Sequence, residues 1–169
     1  PALAVVALLV FTVLPDRVMA PSAEAPRHGV QAKGVAPHLR IFRQVPGGVE
    51  ELEPGDPASA GDVLQIHYAA LGSPWGVIAS IDGSGVTTLH LPASGGRSAP
   101  LTTTGTVALP ASYELDDAPD FERFFLVTGA EPFAVSDVLP ALTTTPGPPS
   151  LPDPLQADSF VVRKRTEAR

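Results

Sequence analysis

The chain has 169 residues, 44% of them hydrophobic and 17% charged, which suits one domain with a genuine core and hardly two. Its formal net charge of -7 has the wrong sign for a nonspecific nucleic-acid binder, whose affinity comes from neutralising phosphates, so no nucleic-acid partner is expected. Cysteine is absent, which removes disulfide frameworks and thiolate zinc sites from consideration.

Pro 20 and Gly 15 together make about a fifth of the chain, a usage that suits short elements joined by many turns better than long helices. The chain opens at Pro1, and this opening is expected to lie inside a longer protein. Ala2 to Leu14 is apolar except for Thr12. As a helix this run would rise about 20 Å, short of the roughly 20 residues that cross hydrocarbon. Residues 1–15 are therefore read as the C-terminal half of a transmembrane segment. A signal-type hydrophobic region and a piece of soluble core are the alternatives. Residues 16–38 carry Pro21, Pro26 and Pro37 with Gly29 and Gly34, which leaves no room for a normal helix and reads as a linker.

The folded part is expected from Leu39 to about residue 165. Leu39, Ile41 and Phe42 open a first strand closed by the turn Pro46-Gly47-Gly48. Val63 to Tyr68 alternates, and the more hydrophobic set Leu64, Ile66 and Tyr68 is expected inward, with His67 on the solvent side. Trp75 to Ile81 and Val86 to Leu91 flank Asp82-Gly83-Ser84-Gly85, a hairpin signal. Gly105 to Leu109 is a short strand, Tyr113 to Pro119 a strand end or exposed loop, and Phe124 to Thr128 a central strand. Ser136 to Leu142 is the one credible helix, held to about two turns by Pro140. A Pro-rich loop at 143–154 precedes a final strand through Phe160 to Val162. The fold class is mainly β: an antiparallel β-sandwich, or a partly open barrel, with one short helix.

Candidate chemistry is sparse. Of the four histidines, only His67 and His90 could be neighbours across strands, and a zinc site needs three or four converging ligands, so no metal and no cofactor are expected. Asp116, Asp117, Asp120 and Glu122 crowd into YELDDAPDFER, read as a solvated acidic loop, with a recognition surface or a cation site as alternatives. Ser80 and Ser84 flank Asp82 without forming a nucleophile elbow. Arg163, Lys164 and Arg165 read as a solvated tail end, or as a local docking patch. Trp75, Tyr113, Asp116, Asp117 and Asp120 are the candidate interaction surface, and no catalytic residue is assigned.

Residues 61–92, GDVLQIHYAALGSPWGVIASIDGSGVTTLHLP, resemble the central motif of the DUF4384 family of unknown function. The matching features are the strand entry Gly61-Asp62, the Asp-x-x-Gly of Asp82-Gly83-Ser84-Gly85, and the closing Leu89-His90-Leu91-Pro92. VALP at 107–110 and FFLVTGAEPF at 124–133 resemble its closing strands, so the likeness covers about residues 39–142. The layout of apolar run, linker and domain also resembles myxobacterial membrane proteins, some of which carry an anti-sigma-like region before the membrane helix. The resemblance implies a membrane-anchored regulatory protein whose non-catalytic domain lies outside the membrane, in the periplasm, as a sensory or interaction module with a protein partner. A structural surface domain, and a carbohydrate-binding or hydrolase module built on the acidic loop and hairpin aromatics, are the competing readings.

Overall fold

A computed structural model describes residues 36–165, and the expected transmembrane segment and most of the linker lie outside these residues. The described chain forms two β-sheets. In the first, β1 (His38–Val45) lies between β2 (Gly48–Leu52) and β4 (Val63–Ala69), and β4 also pairs β8 (Val107–Ala108) and β9 (Tyr113–Glu114), every pair antiparallel. In the second, the order is β3 (Pro57–Ala58), β11 (Gln156–Lys164), β10 (Phe121–Gly129), β5 (Trp75–Asp82) and β6 (Thr87–Leu91), with β7 (Ala99–Pro100) also on β5. Only β3 and β11 run parallel in it. The fold is mainly β as expected, and the sheets are not closed into a barrel.

Period-two patterning sets what lies between the sheets. Leu39, Ile41, Leu64, Ile66 and Tyr68 of the first sheet meet Ile78, Phe124, Leu126, Phe160 and Val162 of the second. The alternation expected for β4 is present: Leu64, Ile66 and Tyr68 are buried and His67 faces outward.

The two central strands of the second sheet, β5 and β10, are buried on both faces. Val77, Ala79, Ile81, Phe125 and Val127 point away from the first sheet and pack under Val135, Val138 and Leu142, with Phe133, Leu139, Leu151 and Leu155 alongside. Residues 133–155 therefore cover this sheet, which explains why Phe124 to Val127 reads as an unbroken apolar run rather than an alternating one. The Pro-rich segment expected as a bare loop supplies part of that cover through Leu151.

The short helical segment is two 3-10 turns, Val135–Asp137 and Leu139–Ala141, instead of a capped α-helix. Neither turn has a side-chain cap, and Pro140 brings no backbone N–H to an α-helical ladder. The chain settles for i to i+3 bonds such as Ala141 N to Val138 O at 3.0 Å. Its expected apolar stripe still works, because Val138 and Leu142 are buried against the sheet.

Candidate functional site

The YELDDAPDFER stretch divides by burial. Tyr113 lies opposite Leu64 on the inner face of the first sheet, and Leu115 is buried and bonded to Asp62 and Gly61 through the backbone. Asp116, Asp117 and Asp120 are exposed. Glu122 is not a loop residue: it sits within β10 opposite Asp82 and Val162, 1% exposed. The loop is seated tightly on the β5–β6 turn. The Gly83 amide donates to Phe121 O, and a Cβ at Gly83 would stand 2.0 Å from the Pro119 carbonyl oxygen, so this glycine is required by space rather than by φ.

Lys164 departs most from the sequence reading. Its side chain is only 5% exposed, with Nζ bonded to Asp116 Oδ1 and 3.4 Å from Glu122 Oε2. The solvated-tail reading holds for Arg163 and Arg165, which are exposed, and fails for Lys164, whose position on β11 turns it into the sandwich. The Tyr113 hydroxyl donates to Glu122 Oε1 at 3.2 Å. Burial raises the Glu122 carboxyl above its ordinary range, against the opposing pull of Ser80, Lys164 and Tyr113. The exposed Asp116 is held below its ordinary value by the hydrogen bond from Lys164.

On the far side of Glu122, His90 Nε2 stands 2.9 Å from Ser80 Oγ. The His90 ring packs edge-on to Tyr113 at 4.8 Å and lies 5.7 Å from Phe124. Burial drives the His90 pKa down to about 4, so the ring is neutral near pH 7. A serine beside a histidine is the opening pair of a nucleophilic relay. Here Ser80 is 0% exposed, so the pair lies inside a closed core. The arrangement joins the two sheets at one end of the sandwich, with Glu122 Oε1 bonded and Glu122 Oε2 facing Lys164 without a hydrogen bond.

His67 and His90 do not come together. His67 lies on the outer face of the first sheet and His90 between the sheets, because Ala70 to Pro74 carries the chain from one sheet to the other. Among the described residues no group of three or more His, Asp or Glu side chains is placed to hold a metal. Trp75 begins β5 opposite Pro100 and Gly129, whereas the acidic loop meets the Asp82 end of the same strand. Seven strand steps separate those ends by about 23 Å. The structure thus links Tyr113 and Asp116 through Glu122 and Lys164, leaves Asp117 and Asp120 at the surface, and puts Trp75 elsewhere.

A second constellation has no counterpart in the sequence reading. Strand register puts Arg40, Phe42, Glu51, Gln65 and His67 on the outer face of the first sheet. The Phe42 and His67 rings are 4.4 Å apart, and the Arg40 guanidinium stands 5.2 Å over the Phe42 ring while bonding both Glu51 oxygens at 2.6 Å. Burial, then the nearby Arg40 charge, lowers the His67 pKa. Val49, on the same face, is 66% exposed. The signal was in the alternation: once Leu39 and Ile41 point inward, Phe42 must point out. No family model matches the chain, and neither a curated protein nor a solved structure matches it.

Proposed function

We propose that residues 39–165 form a non-catalytic protein-interaction domain, the extracytoplasmic module of a membrane-anchored regulatory protein. The observation that carries this reading is the asymmetry of the two outer faces. The second sheet is covered by residues 133–155 of its own chain, whereas the first presents a half-buried Arg40–Phe42–His67 stack and the exposed Val49. Arginine and aromatic side chains are the residue types that interfaces concentrate. The occupant that suits this face is a protein surface offering an apolar side chain to Phe42 and polar groups to Arg40 and Glu51. Glu114 points outward beside Val63 on the same face.

The membrane placement rests on Ala2 to Leu14 and on the likeness of residues 61–92 to the DUF4384 family. Among the described residues no helix is long and apolar enough to cross a membrane. The interior position of Ser80 and Glu122 favours an interaction domain over a hydrolase that would present them to substrate. Alkaline phosphatase fused after Arg165 tests the topology, with high activity expected for an extracytoplasmic domain and none if the domain stays in the cytoplasm. Phe42→Ala and Arg40→Glu test the face. Both should weaken partner capture by the membrane-embedded protein while leaving the fold intact, and undiminished capture by both would overturn the assignment.

A further inference from the structure

The outer face of the second sheet carries one buried charge, Arg123. Arg123 shares the strand alternation of Phe125 and Val127 and lies opposite Ile81 and Val161, so its charge enters a hydrophobic layer. It is 6% exposed, and its guanidinium stands 4.8 Å over the Phe125 ring. The two terminal nitrogens donate to Thr145 O at 2.6 Å, to Gly147 O, and to Ser159 Oγ at 3.1 Å. These partners are neutral. None of the ion pairs among the described residues includes Arg123, and its buried Nε has no acceptor. A buried cation ordinarily requires an opposite charge as well as hydrogen bonds.

Beside this guanidinium is a cavity of about 260 Å³, lined by Phe121, Arg123, Thr144, Pro146, Gly147 and Val161. That is room for roughly nine water-sized groups, near the lower end of small-molecule sites. Its walls are an aromatic ring, a proline and a valine, with the Thr144 hydroxyl as a further polar group. We infer that this cavity binds a small monocarboxylic acid with an apolar tail, its carboxylate paired with Arg123 and its tail against Phe121, Pro146 and Val161. A monoanion balances the single buried cation, whereas a phosphate dianion would leave one charge uncompensated in an apolar pocket. The bound carboxylate also fixes the Thr144–Gly147 segment, whose carbonyls Arg123 already holds. The site belongs to the second sheet, so it stands or falls independently of the docking face on the first.

The experiment is a titration of the isotope-labelled full chain with hexanoate, followed by amide chemical shifts, with 1-hexanol and inorganic phosphate as separate arms. Saturable shifts are expected at Phe121, Thr144 and Val161 with hexanoate, at least about tenfold weaker with 1-hexanol, and absent with phosphate. Thr144→Phe fills the cavity from an exposed position with Arg123 in place, and should abolish the shifts. Arg123→Met should abolish them as well; should that variant fail to fold, Thr144→Phe decides alone. The inference is overturned by the absence of saturable shifts, by equal binding of 1-hexanol, by equal binding of phosphate, or by hexanoate binding that survives Thr144→Phe.

Discussion

Replacing Lys164 by Met removes the one positive charge beside a carboxylate that is 1% exposed. At the observed 3.4 Å, with an effective dielectric constant of about 20, the Lys164–Glu122 attraction is about 5 kcal/mol. Some of this is offset by the desolvation of both groups, and breaking a buried pair from one side typically costs about 3–5 kcal/mol. A loss of about 3 kcal/mol at pH 7 is therefore expected from Lys164→Met. The sign of its pH dependence follows from Glu122. Burial raises its folded pKa above the ordinary 4.5, so folding favours the protonated form, and the stability this contributes is present at low pH and lost as pH rises through the folded pKa. Without Lys164 the folded pKa climbs further, so acidification to about pH 5 should narrow the gap between variant and parent. Urea unfolding followed by fluorescence of Trp75, the single tryptophan, supplies both numbers. Adding Glu122→Gln to Lys164→Met should recover much of the loss at pH 7. A loss below about 1 kcal/mol, or one unchanged between pH 7 and 5, would refute the electrostatic role given to Lys164.

Gly83→Ala places a methyl 2.0 Å from Pro119 O and should cost roughly 1–3 kcal/mol, while Gly48→Ala, with open space around it, should stay within about 0.5 kcal/mol in the same urea assay. His90, with its pKa near 4 against an ordinary 6.5, should keep a neutral ring in NMR titrations well below pH 6. Its depressed value means that stability is fully present above pH 6.5 and is lost as pH falls towards 4, by about 3 kcal/mol in total. A His90 ring titrating near 6.5 would contradict its burial. Phe42→Ala should lower stability by less than about 1 kcal/mol, because the ring lies on the outer face; a larger loss would mean that the ring serves the core.

Much of the sandwich could be read from the sequence because apolar patterning reports burial directly. Leu64, Ile66 and Tyr68 alternate because β4 is covered on one face, and Phe124 to Val127 is continuous because β10 is covered on both. What was not legible depends on distance along the chain. GVEEL in β2 shows one inward residue, Leu52, so its pairing with β1 was hidden among charged side chains. Lys164 and Asp116 are 48 positions apart, and no local pattern indicates that one covers the other. His67 and His90 lie on elements close in sequence, yet the Ala70–Pro74 connection places them in different sheets. Pro140 limited the helix as expected, while the absence of a side-chain cap reduced it to 3-10 turns.

Site-specific photo-crosslinking in intact cells tests the interaction face most directly. A photoreactive phenylalanine analogue would be placed in turn at position 42, on the outer face of the first sheet, and at position 139, on the segment covering the second. A discrete protein adduct is expected from position 42 and none from position 139. Adducts from position 139 alone, or from neither position, would contradict the assignment of this face.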